Sequence, residues 1–499
     1  MERRLCAIVA LFVLACAVVP RMPYWGTAIM GDESVYAYVA SAWLHGMMPY
    51  RDAADVKPPG LYLIFALPVA LFGFDYTPIC ILLSLATIAT SAFVFLIGRE
   101  IGGDRVGLLA AALVALFSSL NVFMIAAVET MFIPFTAAGF YALIVAARRG
   151  DRRLLVLAGI MFGFASLIKQ PVLAESIALS GGIALVWGRR GIADALAAIA
   201  VFLAGVWAVW APILLYFLAN GALGGLVYWC FQYPVEYANG GSFFATAQQG
   251  VSWAGFFLLT VFPAITLGTL ASFFFIKPER NKLILLASWA LGSLAATLPG
   301  NHYLHFYVEP VPVLSVLSGA LLAALIGGVA GFSRPRIAPF SREAVMLLVL
   351  TGLLAGTLLV ETDYYGVLAG VVPGPPFGPF NSGGFEIRAA GVDIWRAADA
   401  IRAVSGPNDT LIAFSVYTAD ASLYIYSGRF SPIPEPCLYA LKEENVIAAV
   451  GEKKPRIVVA DIRLEAVAPE FYARILSAVA TDYELSRTEG PYRIYVRRV

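Results

Sequence analysis

Residues 1–360 are mostly long apolar runs interrupted by short charged clusters, and the pattern changes to a mixed, soluble-looking one after Glu361. A membrane span needs about 20 apolar residues, fewer in a thin bilayer. On that ruler the chain divides into eleven runs: 5–20, 76–98, 106–122, 124–146, 154–169, 171–187, 192–218, 252–276, 283–299, 304–330 and 344–360. Leu61 to Phe74 is too short to cross, and its composition predicts a helix lying at the interface. The segment containing Val372-Pro373-Gly374-Pro375-Pro376 cannot be regular structure. Beyond it, Asp393 to Val404 reads as an amphipathic helix, and Thr410 to Val416, Arg456 to Asp461 and Tyr492 to Val496 read as strands. The expected architecture is a polytopic α-helical membrane protein with a small C-terminal α/β domain. Its expected parts are a transmembrane module at 1–360 with a first outer loop at 21–75, a linker at 361–380, and the domain at 381–499.

Basic residues orient these runs. With the N-terminus cytoplasmic, sixteen Lys and Arg fall on the inner side and only Arg21, Arg51, Lys57 and Lys169 on the outer side of the membrane region. The C-terminal domain is then extracytoplasmic. Met1-Glu2-Arg3-Arg4 before a short apolar run also resembles a secretory signal, with Val13-Leu14-Ala15-Cys16 as a poor lipobox. The run is expected to be retained, and its removal would leave the remaining topology unchanged.

Composition agrees with the pattern. Of 499 residues 60% are hydrophobic and 13% charged, about half the roughly 25% charge of an ordinary soluble domain. Mean hydropathy is +0.79. These values exclude a soluble globular enzyme and a disordered chain, and a net charge of +1 provides no field for nucleic acid. The five cysteines, Cys6, Cys16, Cys80, Cys230 and Cys437, show no metal or disulfide spacing.

Charges at a membrane edge are costly and need a reason. On the outer side they concentrate in the first loop, in Gly31-Asp32-Glu33-Ser34, Tyr50-Arg51-Asp52 and Asp55-Val56-Lys57-Pro58-Pro59. Asp32 and Tyr36 fit one face of a short helix, and the prolines after Lys57 hold its backbone extended. One reading is that Asp32 caps that helix and Lys57 snorkels to lipid phosphate. The other is that a carboxylate and a lysine on a compact outer loop serve a reaction whose leaving group is a lipid phosphate. Asp52 and Asp55 are not a metal-binding D-x-D, because two residues intervene. Nothing in the chain resembles a P-loop, a Rossmann glycine pattern or a nucleophilic triad.

Asp32-Glu33, then Tyr36, Ala40, Gly46, Pro49-Tyr50, and then Asp55-x-Lys57-Pro58-Pro59 form a string that resembles the first outer loop of the GT-C glycosyltransferases. The similar branch is that of the protein O-mannosyltransferases and the lipid A aminoarabinose transferase (glycosyltransferase family 39-like). The resemblance implies a GT-C-like membrane fold and inverting transfer of a sugar from a polyprenyl-phosphate donor to an acceptor hydroxyl on the outer face. The acceptor would be a lipid, glycan or protein. It also implies that Asp32 is the catalytic base or acceptor-orienting group, Glu33 its acidic neighbour, and Lys57 the ligand of the donor phosphate. Such roles fit the chemistry: a carboxylate takes the acceptor proton, and an ammonium stabilises charge gained by the departing phosphate.

Other outer-edge residues are candidates for the donor phosphate or sugar. Glu129 is either the acidic residue that the family places facing the first loop or a buried carboxylate paired with a lysine. Lys169 is either a second donor contact or a snorkelling side chain. His302, Tyr303 and His305 open the run at 304–330. His302, His305 and Glu309 stand at i, i+3 and i+7, so one helical face would present two imidazoles and a carboxylate, which could line a donor site, pack at the interface, or hold a divalent ion. No cofactor is firmly expected. The competing functional readings are a transporter or flippase of a lipid-linked substrate, and a membrane anchor for the C-terminal domain. Charges gathered at outer ends, with no internal repeat, fit a transporter poorly. The compact chain is expected in a bacterial inner membrane.

Overall fold

The computed structural model describes residues 2–118, 127–238, 248, 250–252, 255, 279–298, 304–332, 384–415, 419–435 and 443–498. The expected linker, the run at 344–360, most of the run at 252–276, His302 and Tyr303 lie outside the described residues. The chain divides into two compact units, the first made of residues 1–22, 81–215 and 234–373, the second of 23–80, 216–233 and 374–499.

The first unit is a helical bundle. Its helices are α1 (Glu2–Val18), the greater part of α4 (Tyr76–Gly102), α5 (Asp104–Ser118), α6 (Ala127–Arg149), α7 (Arg153–Ser166), α8 (Val172–Trp187), most of α9 (Ile192–Ala219), α12 (Arg280–Ala296) and α13 (Val311–Phe332). Among the described residues, five helical stretches are long and apolar enough to cross a membrane: Arg4–Tyr24, Tyr76–Gly102, Val128–Arg149, Val172–Arg190 and Ile192–Ala219. Arg153–Ser166 and Val311–Ile326 are shorter apolar helices.

Between helices in lipid there is no hydrophobic drive, so close approach of backbones through small residues holds the bundle. Among the described residues the closest instance joins α7 to α9. A Cβ on Gly159 would lie 1.9 Å from the Phe202 carbonyl oxygen, and one on Gly205 would lie 2.3 Å from that of Val156. Gly292 of α12 likewise admits the backbone of Glu175 on α8, where an added Cβ would sit 2.6 Å from Cα.

The run at 304–330 is not one helix. Leu304–Val308 form a 3-10 turn, Glu309 and Pro310 a bend, and the α-helix begins at Val311. Pro310 biases Glu309 away from helical backbone, and Pro312 stands in the first turn of α13. The single helical face expected for His305 and Glu309 is therefore absent.

The second unit combines the first long loop with the C-terminal region. Its elements are α2 (Asp32–Leu44), α3 (Pro59–Phe72), the short helix α10 (Leu223–Val227), a π-turn at Tyr228–Gln232, and α11 (Tyr233–Ala238), which begins at its edge. These are followed by α14 (Gly384–Ala403), β1 (Leu411–Phe414), α15 (Ala419–Ser427), α16 (Glu443–Lys453), β2 (Ile457–Asp461), α17 (Leu464–Val467), α18 (Pro469–Ala480), β3 (Tyr483–Glu489) and β4 (Tyr492–Arg497). The sheet order is β1-β2-β4-β3, with β1 parallel to β2 and the other two pairs antiparallel. Phe414, Val458, Phe471, Ile475 and Val479 fill the core under α18.

Local chemistry sets the two loop helices. Pro58 is extended and Pro59 occupies the first helical position of α3, where the missing N–H costs nothing. Gly73, at φ 70°, ends it. Asp32 and Glu33 stand in the first turn of α2, where they complement the helix dipole.

The loop is seated on the C-terminal region. Tyr38 of α2 packs against Tyr424 and Phe430 at ring separations of 5.2 and 6.0 Å, and its hydroxyl accepts the Ser431 N–H at 3.0 Å. Tyr426 Oη accepts the Ile29 N–H at 2.6 Å and donates to the Phe74 carbonyl at 2.9 Å. The Ala54 N–H donates to the Pro434 carbonyl at 2.7 Å.

The α7–α9 crossing predicts opposite responses to one chemical change. Gly159→Ala should lower the thermal midpoint in detergent, because backbone rather than a mobile side chain blocks the methyl group; overpacking costs about 1–3 kcal/mol. Gly181→Ala, with nothing within 4 Å of its added Cβ, should leave the midpoint unchanged or raise it, since a helical glycine costs about 0.5–1 kcal/mol. Equal midpoints for the two variants would contradict the close crossing.

Candidate active site

In the second unit the charged residues of the first loop occupy the starts of two packed helices. Asp32, exposed, is the first residue of α2, and Lys57, half-buried, lies two residues before α3 begins. The helices pack against each other, with Tyr36 edge-on to Phe65 at 5.5 Å. Glu33 is buried at 4% exposure and accepts a 3.4 Å hydrogen bond from Tyr76 Oη, which holds its carboxylate in place.

The backbone around Lys57 is firmly tied. Its carbonyl accepts from Tyr50 Oη at 2.8 Å, Tyr62 Oη at 2.9 Å and Cys230 Sγ at 3.4 Å. Tyr62 Oη also lies 3.0 Å from Asp55 Oδ2. Tyr50 reaches the carbonyl from a backbone at φ 67°, a region that costs a non-glycine residue about 1–3 kcal/mol. Burial pushes the Tyr50 and Tyr62 phenols well above the usual tyrosine range, and the Cys230 thiol up to about 12. All three groups therefore keep their protons near neutral pH. Nearby, the Arg51 guanidinium holds the Asp52 carboxyl below its ordinary value, and Asp52 Oδ2 accepts the Met48 N–H at 2.7 Å.

In the first unit Lys169, Glu129 and Glu309 converge. Lys169, in the turn between α7 and α8, reaches Glu129 Oε1 at 2.9 Å and Glu309 Oε2 at 3.4 Å, with all three side chains buried. Its ammonium lies 4.7 Å from the Phe306 ring centre and 5.6 Å from that of Phe132, within cation–π range. Glu175 of α8 belongs to the same electrostatic group and accepts from Trp289 Nε1 at 2.8 Å. Trp289 is stacked on Phe140 at 4.2 Å, and Gly292, one turn further along α12, allows this approach.

Lys169 is thus neutralised from two sides, and a phosphate brought to it would meet two carboxylates. Its geometry is that of an inter-helix tie, joining α6, the α7–α8 turn and the bend before α13. His305 is half-buried with its ring edge-on to Phe306 at 4.7 Å. Among the described residues no three His, Cys, Asp or Glu groups converge as a metal set would require.

Some of these partners are legible in sequence only with hindsight. Glu175 interrupts an apolar run, which is a signal in its own right. Tyr62 and Cys230 carry no such mark, and Tyr50 stands in the motif string without showing its contact, because that contact depends on a fold that brings three separate segments to one carbonyl.

Removing the Lys169 ammonium should damage the bundle. Lys169→Met leaves buried carboxylates uncompensated and is expected to cost about 3–5 kcal/mol, read as a lower thermal midpoint of the full chain in detergent. An unchanged midpoint together with lost binding of a phosphate-bearing lipid would reassign Lys169 to the donor.

Comparison with known proteins gives a consistent picture. The family model described as dolichyl-phosphate-mannose-protein mannosyltransferase matches residues 56–223. No curated protein matches the chain by sequence. Among solved structures, ArnT from Cupriavidus metallidurans bound to undecaprenyl phosphate is similar at a TM-score of 0.60 and 14% identity, covering 98% of each chain. The apo form of that protein gives 0.59 and 16%, again covering 98% of each chain. The archaeal oligosaccharyltransferase AglB from Archaeoglobus fulgidus, in complex with an inhibitory peptide and a dolichol-phosphate, gives 0.56 and 14%, covering 99% of this chain and 74% of AglB. Similarity to ArnT and AglB over 98–99% of this chain shows that it shares their fold.

Proposed function

We propose that the chain is an inverting glycosyltransferase, moving a sugar from a polyprenyl-phosphate donor to an acceptor hydroxyl on the outer face of a bacterial inner membrane. The observation that carries this reading is the pair of packed helices that begin at Asp32 and just after Lys57. The family match at 56–223 and the shared fold support it.

In the proposed step the acceptor oxygen attacks the anomeric carbon and passes its proton to Asp32. The bond from that carbon to the phosphate oxygen breaks, and its electron pair leaves with the lipid phosphate. Lys57 meets the charge that grows on this leaving group, an interaction stronger in the transition state than in the ground state. A single displacement inverts the anomeric configuration. Glu33, buried and hydrogen-bonded by Tyr76, serves as a fixed acidic neighbour that orients the site rather than as the proton acceptor. Donor-phosphate binding is assigned to Lys57, since Lys169 already faces Glu129 and Glu309.

This division of labour separates two variants. Asp32→Asn should lower turnover by about 10²–10⁴-fold with donor affinity little changed. Lys57→Ala should weaken both donor binding and turnover. The assay uses the purified chain with a polyprenyl-phosphate sugar extracted from the producing cells, following release of the free lipid phosphate. Full turnover by Asp32→Asn would rule out Asp32 as the base.

A further inference from the structure

We infer that Tyr50, Tyr62 and Cys230 are positioning residues for Lys57: their O–H and S–H groups converge on its backbone carbonyl and set the direction in which the ammonium meets a lipid phosphate. This inference rests on the proposed role of Lys57.

The Lys57 carbonyl precedes Pro58, which has no N–H, and α3 begins only at Pro59. A carbonyl has two strong acceptor directions. Here two buried tyrosine hydroxyls approach at 2.8 and 2.9 Å, with a thiol at 3.4 Å. The three donors come from three segments: the turn after α2, the first turn of α3, and the π-turn at Tyr228–Gln232.

Reaching that carbonyl requires unusual backbone. Tyr50 sits at φ 67°, and a Cβ on Gly225 would come within 2.8 Å of the Tyr50 carbonyl oxygen. The single Tyr62 hydroxyl proton is shared between the Lys57 carbonyl and Asp55 Oδ2 at 3.0 Å, which links the two ends of the segment from Asp55 to Lys57. A lysine that merely snorkels needs a free stem and no such clamp. The clamp leaves the ammonium mobile only through its own side-chain rotors.

Undecaprenyl phosphate binding to the full chain in mild detergent tests this. Lys57→Ala should weaken binding. Tyr50→Phe and Tyr62→Phe, which keep the ring and remove only the hydroxyl, should each weaken it roughly two- to ten-fold. Cys230→Ala should have a smaller effect, because a thiol is a weak donor. In the Lys57→Ala background the tyrosine substitutions should have no further effect, the coupling expected of groups that act through one residue. A structural role would weaken binding equally in both backgrounds and would overturn the inference, as would wild-type affinity of both tyrosine variants beside a weakened Lys57→Ala. Wild-type affinity of Lys57→Ala would overturn the assigned role of Lys57, and the inference with it.

Discussion

A charge withdrawn from water costs several kcal/mol unless something compensates it, and that cost sorts the charged residues of this chain. Lys169 accounts for its burial by facing Glu129 and Glu309 and by lying against two aromatic rings. The Glu175 carboxyl accepts from the Trp289 indole N–H. Both sets tie helices together, in a bundle where apolar surface alone gives no preference for helix over lipid. Asp32 and Lys57 are placed differently. One is exposed at a helix N-terminus and the other is half-buried before a helix.

The same economy explains the shape of the first loop. From Glu33 to Ala42 every residue of helix α2 is buried, as expected of a segment packed between α3 and α15 rather than exposed on a surface. Its polar groups are matched on the C-terminal region: Tyr38 receives the Ser431 N–H, and Tyr426 links Ile29 to Phe74. The C-terminal sheet region therefore forms part of the support of the loop that carries Asp32 and Lys57.

Much of this was readable from residue pattern. Long apolar runs located α1, α4, α8 and α9, and β-branched runs located β1, β2 and β4. Strand β3 escaped because it is an edge strand with five consecutive exposed residues, so the alternation that marks a half-buried strand is missing; the turn at Gly490-Pro491 was its remaining signal. The bend at Glu309 escaped because apolar composition outweighed two prolines. Asp32 and Lys57 stand in a motif legible in the sequence, and Glu129 pairs with Lys169. The clamp on the Lys57 carbonyl was not legible, since Tyr50, Tyr62 and Cys230 meet only in three dimensions.

The central claim is that Lys57 holds the phosphate of a lipid donor. Its most direct test is mass spectrometry of lipids that stay with the purified chain in mild detergent, comparing wild type with Lys57→Ala. The account predicts a polyprenyl phosphate, free or glycosylated, with the wild type and its depletion from the variant. Bulk phospholipid alone in both preparations would contradict it.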